Sequence, residues 1–323
     1  MLSLGPARMD VFVRLPEDEI EEACSIDRKR CMIELGFGEK IPVTGIDFAV
    51  GGNTGNNAVG LVRLGHKTAM AGSMGDGWSD KQALQMLSDE GVDTHLMTTD
   101  KGKVGFGVVI DYSGERTILS YYPETQCVFP KEEGLLAKWI YLTTAGENYE
   151  DFYREAVNWA EASGAKIAFN PGSRQIKSGL SRIKFVAERT EVLFVNKEEA
   201  ESLLDRPMDS PVKELLDGLR GTGAKLVVIT DGMEGAYAFD GQKYLHMPVV
   251  PVQVIERTGA GDAFGSGFLA AVMHGKGMGE ALRWGTCNSA AKLGFIGPQR
   301  GLLNRQQMEE WLARSSDILP REI

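Results

Sequence analysis

Short apolar runs alternate with longer amphipathic stretches along most of the chain. KTAMAG (67–72), WIYLTT (139–144), AKIAFN (165–170), EVLFVN (191–196) and KLVVIT (225–230) have strand length and no polar alternation. Such runs suit strands buried on both faces. Helical segments lie between them, with recognisable stops. Ser79 is placed to cap DKQALQMLSDE, which ends at Gly91, YEDFYREAVNWAEAS ends at Gly164, and KEEAESLLD follows Asn196. This rhythm predicts an α/β fold with a mostly parallel sheet covered by helices on both sides.

Two regions depart from it. VGFGVVIDYSGERTILSYY (104–122) is a pair of β-branched, aromatic-rich runs around Ser-Gly, the pattern of a hairpin. VFVRL (11–15) and IDFAV, within 43–50, are strand-like with no helix between them. Together they predict a small sheet, a lid, projecting from a single domain that spans 1–323. The acidic segment PEDEIEEACSIDRKR (16–30) between them reads as an irregular surface insertion.

Composition narrows the chemistry. With 43% hydrophobic residues, the 323-residue chain can bury a sizeable core, and no apolar run approaches the about 20 residues that span a bilayer. The net charge of −10 and pI near 5.1 disfavour nucleic acid and anionic membranes as partners. Cys24, Cys31, Cys127 and Cys287 form no CxxC pair, which argues against a zinc site or disulfide framework. With no secretory signal pattern at MLSLGPARMD, a cytoplasmic location is expected.

The densest chemistry lies in VQVIERTGAGDAFGSGFLAAVMHG (252–275), which runs from strand through a glycine turn into a helix. Gly259, Ala260 and Gly261 let backbone N–H groups approach a ligand, and those groups carry the positive end of the helix dipole. Asp262, in the first turn, can take a proton from an attacking hydroxyl beside a bound phosphate, as phosphoryl transfer to an alcohol requires. A tightly packed helix start is the plain alternative. A dinucleotide fingerprint fails on context, and no GxxxxGK[ST] phosphate loop occurs.

GGNTGNNAVGLVRLG (51–65), AGSMGDG (71–77) and TGAGDAFGSGF (258–268), in this order, resemble the two signatures of ribokinase-like (PfkB) carbohydrate kinases. The resemblance implies a three-layer α/β/α sandwich with a small β lid, ATP and Mg²⁺, and a small sugar or sugar-like substrate phosphorylated on a hydroxyl, normally a primary one. It implies that Asp262 is the base and that the amides of Gly259, Ala260, Gly261 and Asp262 form the anion hole. By the same resemblance Asn56 and Asp10 hold sugar hydroxyls, with Gly51, Gly52 and Asn53 beside them, and Arg174 meets the transferred phosphate. Asn196 and Glu199 organise Mg²⁺, while Thr230, Gly232, Gly235 and Asn288 lie along the nucleotide. Structural alternatives stand beside these roles: a turn residue for Asp10, a helix cap for Asn56, a capping box for Asn196 and Glu199, and a solvated loop for Arg174.

Where the family has aspartate and a small residue before TGAGD, this chain has Glu256 and Arg257. The backbone there helps hold a monovalent cation in many members. Arg257 either replaces that cation or points to solvent and pairs with an acid. Gly77 also stands where the family often has aspartate. Two rival readings remain: a nucleoside kinase, with Phe106, Tyr121, Tyr122 and Phe129 walling the base, and a non-catalytic regulatory binder. An exposed lid edge would favour a homodimer.

Overall fold

A computed structural model of the chain describes residues 1–16, 21–24, 31–112, 115–121 and 125–323. Period-2 alternation in its parallel strands splits their side chains between two cores. Ile140 and Leu142 of strand Trp139–Leu142 face one core, and Trp139 and Tyr141 face the other. Strand Thr190–Asn196 does the same with Leu193 and Val195 against Val192 and Phe194. One core is closed by Phe152, Tyr153, Val186 and Leu215 from helices Tyr149–Ser163, Leu180–Ala187 and Val212–Arg220. The opposite core is closed by Phe264, Phe268 and Trp284 from helices Ala260–Met273 and Met278–Leu293. Three layers follow from strands that are apolar on both sides.

Among the described residues the central sheet has 10 strands. Leu226–Thr230, Thr190–Asn196, Lys166–Phe169, Trp139–Leu142, Leu2–Leu4, Ala69–Gly75 and Asp93–Asp100 lie side by side and parallel. Ala236–Phe239, Tyr244–Met247 and Arg321–Glu322 continue it antiparallel. The chain leaves strand Leu2–Leu4, third from one edge of the sheet, between neighbours reached later on either side. That is a topological switch point, where open α/β sheets place ligands at their carboxyl ends.

The lid is a separate four-stranded sheet of Gly45–Gly51, Arg8–Arg14, Phe106–Tyr112 and Glu115–Tyr121, in that order. The 16–30 segment is not wholly irregular: Glu21–Cys24 pairs antiparallel with Cys31–Glu34, while residues 17–20 and 25–30 lie outside the described residues. The helix expected behind Ser79 instead starts at Trp78 with Gly77 as its N-cap, and Ser79 is buried within it. Among the described residues no helix is long and apolar enough to cross a membrane.

Candidate active site

The glycine turn enters helix Ala260–Met273 through Gly259, an N-cap in the left-handed region at φ 78°. A side chain there would also collide with Pro298, whose Cβ lies 2.6 Å from the position a Cβ would take. The Ala260 N–H is taken by the Arg257 carbonyl at 3.2 Å. The amides of Gly261 and Asp262 therefore serve as the helix-start donors. A Cβ on Gly261 would meet nothing within 4 Å, so the turn has open space beside it.

Asp262 is half-buried, and Asn56 Nδ2 donates to its Oδ2 at 2.8 Å. Burial pushes its carboxyl up to about 6, against the opposing pull of that hydrogen bond. Asn56 lies in the first turns of helix Asn53–Arg63, whose N-cap is Gly52 (φ 93°), so it does not cap the helix. Its amide orientation is set from behind: Gln299 Nε2 donates to Asn56 Oδ1 and to Val50 O, both at 3.2 Å. The asparagine expected on sugar hydroxyls thus holds the carboxylate of Asp262.

Asp10 stands on the lid beside Gly51, where a Cβ would sit 1.8 Å from Asp10 Oδ2, so only glycine admits this carboxylate. Burial raises its carboxyl to about 6, opposed by the Arg8 charge, and its buried Oδ1 has no hydrogen-bond partner among the described residues. A buried acceptor of this kind is suited to a ligand hydroxyl.

At the carboxyl ends of the strands, Asn53 Nδ2 donates to Asn170 Oδ1 at 3.3 Å, and Tyr141 Oη donates to the same oxygen at 3.4 Å. Asn170 Nδ2 donates to Phe194 O at 2.9 Å. Asn196 and Glu199 form the capping box, with Asn196 N donating to Glu199 Oε2 at 2.9 Å and Glu199 N to Asn196 Oδ1 at 2.8 Å. Burial raises the Glu199 carboxyl against the Asn196 N–H, and the charges of Glu198 and Asp262 push the same way as burial. The structure therefore brings Glu199 within electrostatic reach of Asp262. Thr230 pairs with Asn196 across the sheet and leads into the Gly232–Glu234 turn, closed by Gly235 at φ 92°.

Other expected residues are differently employed. Asn288 is fully buried, donating to Ala263 O and Ser266 Oγ and accepting from Leu303 N, so it braces helices and offers adenine no open face. Arg174 is exposed and paired with Glu147 at 3.0 Å. Arg257, with 58% of its side chain exposed, lies 3.8 Å from Glu115 of the lid hairpin, an acid of the kind the second reading of Arg257 expects. Gly77 has a spatial reason to lack the aspartate: a Cβ there would lie 2.8 Å from Val104 Cγ2. Phe129 is buried against Trp159, and Phe106 and Tyr121 register with Met9, on the lid face opposite Asp10. Among the described residues they build no wall beside Asp10, and Tyr122 lies outside the described residues.

Pattern reading passed over Gln299, Asn170, Tyr141 and Lys292. Asn170 had a signal, since it ends AKIAFN as Asn196 ends EVLFVN. Lys292 had a fainter one, a lone charge in AAKLGF. Its buried Nζ donates to Glu256 O at 2.7 Å and to Glu256 Oε2 at 3.0 Å.

The sequence matches the family described as pfkB family carbohydrate kinase over residues 20–303. It is 27% identical to a ribokinase of Haemophilus influenzae over 285 residues, covering 85% of this chain and 91% of that protein. It is 25% identical to a 5-dehydro-2-deoxygluconokinase of Lacticaseibacillus casei over 285 residues, covering 82% and 87%. Its fold is similar to that of an Arabidopsis thaliana ribokinase solved with ribose and ATP, with a TM-score of 0.76 at 18% identity, over 96% and 97% of the two chains.

Proposed function

Because the chain belongs to the PfkB family of carbohydrate kinases, we propose that it transfers the terminal phosphoryl group of ATP to a hydroxyl, a primary one, of a small sugar or sugar derivative. The observation that carries this is the Asp262 carboxylate at the start of helix Ala260–Met273, oriented by Asn56 and set beside helix-start amides. Asp262 takes the hydroxyl proton as the oxygen attacks phosphorus, and the amides of Gly261 and Asp262 meet the phosphate's negative charge. Asp10 accepts from a sugar hydroxyl through its unpartnered Oδ1 and fixes the sugar under the lid. Closure of the lid keeps water from competing for the phosphoryl group.

Mg²⁺ would be held chiefly by the phosphates and water, with Glu199 at the Asn196 capping box as the nearby carboxylate; Glu199 and Asp262 repel each other as like charges, which a divalent cation would relieve. Bound with ATP, Mg²⁺ neutralises phosphate charge. Thr230, Gly232 and Gly235, beyond Asn196 on the same sheet edge, line the nucleotide. On the lid face that carries Asp10, Phe12, Val109 and Ile118 form the next rung, flanked by Asp47, with Arg14, Asp111 and Arg116 on the rung beyond. We also assign a homodimer contact to the lid strand Glu115–Tyr121, an edge exposed along its length.

The test is ADP release from ATP–Mg²⁺ across sugars, sugar acids and nucleosides. Turnover of one compound is expected, lowered about 10²–10⁴-fold in Asp262→Asn. Turnover unchanged in that variant would remove Asp262 as the base, and nucleotide binding without any turnover would favour the regulatory reading.

A further inference from the structure

We infer that the ammonium of Lys292 serves as a built-in monovalent cation beneath the phosphate-binding turn, so that the site needs no dissociable potassium or sodium ion; this rests on reading residues 259–262 as that turn. Glu256 is the hub. It is buried, and it precedes the Gly259 N-cap by only three positions. One carboxylate oxygen accepts from Thr258 N, and the other accepts from Gly297 N at 3.3 Å and from Lys292 Nζ at 3.0 Å. The backbone is tied to the same place, with Ile255 N and Glu256 N donating to Leu293 O at 2.8 and 3.2 Å.

A buried carboxylate so close to the helix-start amides repels an incoming phosphate unless a cation neutralises it. Lys292 already occupies both the Glu256 carbonyl, at 2.7 Å, and a Glu256 carboxylate oxygen, at 3.0 Å, the two oxygens with which this turn could hold a free ion. The ammonium therefore stands where a small cation would otherwise be bound. Lys292 is also the penultimate residue of helix Met278–Leu293, whose C-terminal dipole end favours positive charge. Burial raises the Glu256 carboxyl, but the Thr258 hydrogen bond and the Lys292 charge outweigh it and leave it below its ordinary value. Glu256 is thus held ionised; burial lowers the Lys292 ammonium in turn, opposed by the Glu256 charge and hydrogen bond, so the two hydrogen bonds to Glu256 are what hold the positive charge in place. Arg257, exposed toward Glu115, takes no part in it.

Lys292 is a positioning residue, so its test must separate charge replacement from packing. Melting temperature without nucleotide, and Mg²⁺–ADP affinity, are measured in potassium, sodium and tetramethylammonium chloride at equal ionic strength. The parent protein is expected to show the same melting temperature, and affinities within about twofold, in all three salts, because no site ion is there to bind. Lys292→Ala is expected to bind Mg²⁺–ADP at least about tenfold more weakly in tetramethylammonium, with recovery in potassium or methylammonium, an effect that lost packing does not produce. Parent affinity or melting temperature that rises on replacing tetramethylammonium with potassium overturns the inference. So does a Lys292→Ala variant with unchanged affinity in every salt. If that variant does not fold, the parent's salt series and Lys292→Arg, expected to stay salt-indifferent, decide. Absence of ADP binding in every salt would sink the kinase reading, while the melting series still settles the cation.

Discussion

At the scale of single residues, the site depends on groups that hold other groups. Asp262 is aimed by Asn56, and Asn56 by Gln299. The motif exposed Asp262 and Asn56 to reading, because their residue types and glycine neighbours carry chemistry. Gln299 stayed hidden, since a glutamine in IGPQRG becomes informative only once its 243-residue separation from Asn56 is closed in space. Burial raises the Asp262 carboxyl to about 6, so the base form prevails above that pH and is lost below it. We expect kcat/KM to fall as pH drops through about 6, and Asp10, raised by the same cause, to steepen the fall. A profile flat down to pH 4 would exclude Asp262 as the base. The stability sign is opposite to that of a salt-bridged acid: the native state holds the proton more tightly, so ionisation weakens the fold as pH rises from about 4 to 6. Asp262→Asn should therefore be more stable than the parent at pH 7, by about 1–3 kcal/mol, with the difference fading toward pH 4 in denaturant titrations.

At the scale of elements, helices Asn53–Arg63 and Ala260–Met273 must lie close enough for Asn56 to reach Asp262. Gly60 permits that approach: a Cβ there would lie 2.3 Å from Ser266 Oγ and 2.6 Å from Ser266 Cβ. Gly60→Ala should cost about 1–3 kcal/mol in urea unfolding and lower turnover by separating the pair, and a neutral effect on both would mean the helices can shift freely. Long buried strands and well-punctuated helices were legible because their periodicity extends over many residues. Leu2–Leu4 was not, since three residues carry no period, yet it sits inside the sheet at the switch point between Trp139–Leu142 and Ala69–Gly75. Asp93–Asp100 escaped because an edge strand is half-exposed and reads as polar. The segment at 16–30 was read as wholly irregular because its acidic composition masks the short pairing of Glu21–Cys24 with Cys31–Glu34.

At the scale of the whole molecule, the exposed lid strand Glu115–Tyr121 predicts a particle of twice the 35.2 kDa chain mass by light scattering. Leu119→Lys, on an exposed apolar position of that strand, should shift it to the single-chain mass; a parent that is already monomeric removes the dimer. Fold class could be read from the sequence because layers follow from periodicity, whereas the site joins lid, sheet edge and two distant helices. Its parts lie at residues 10, 53–56, 170, 196–199, 256–262 and 292–299, and each long-range pairing must wait for the later segment. On the ribosome, the emerging chain can therefore build much of its sheet and still leave Asn56 and Asp262 unoriented, because Gln299 is made after the strands and helices it completes. A translation product that stops short of residue 299 should be inert rather than a slow or promiscuous phosphatase of ATP, because its lid strands are already made while Asn56 still lacks the partner that orients it.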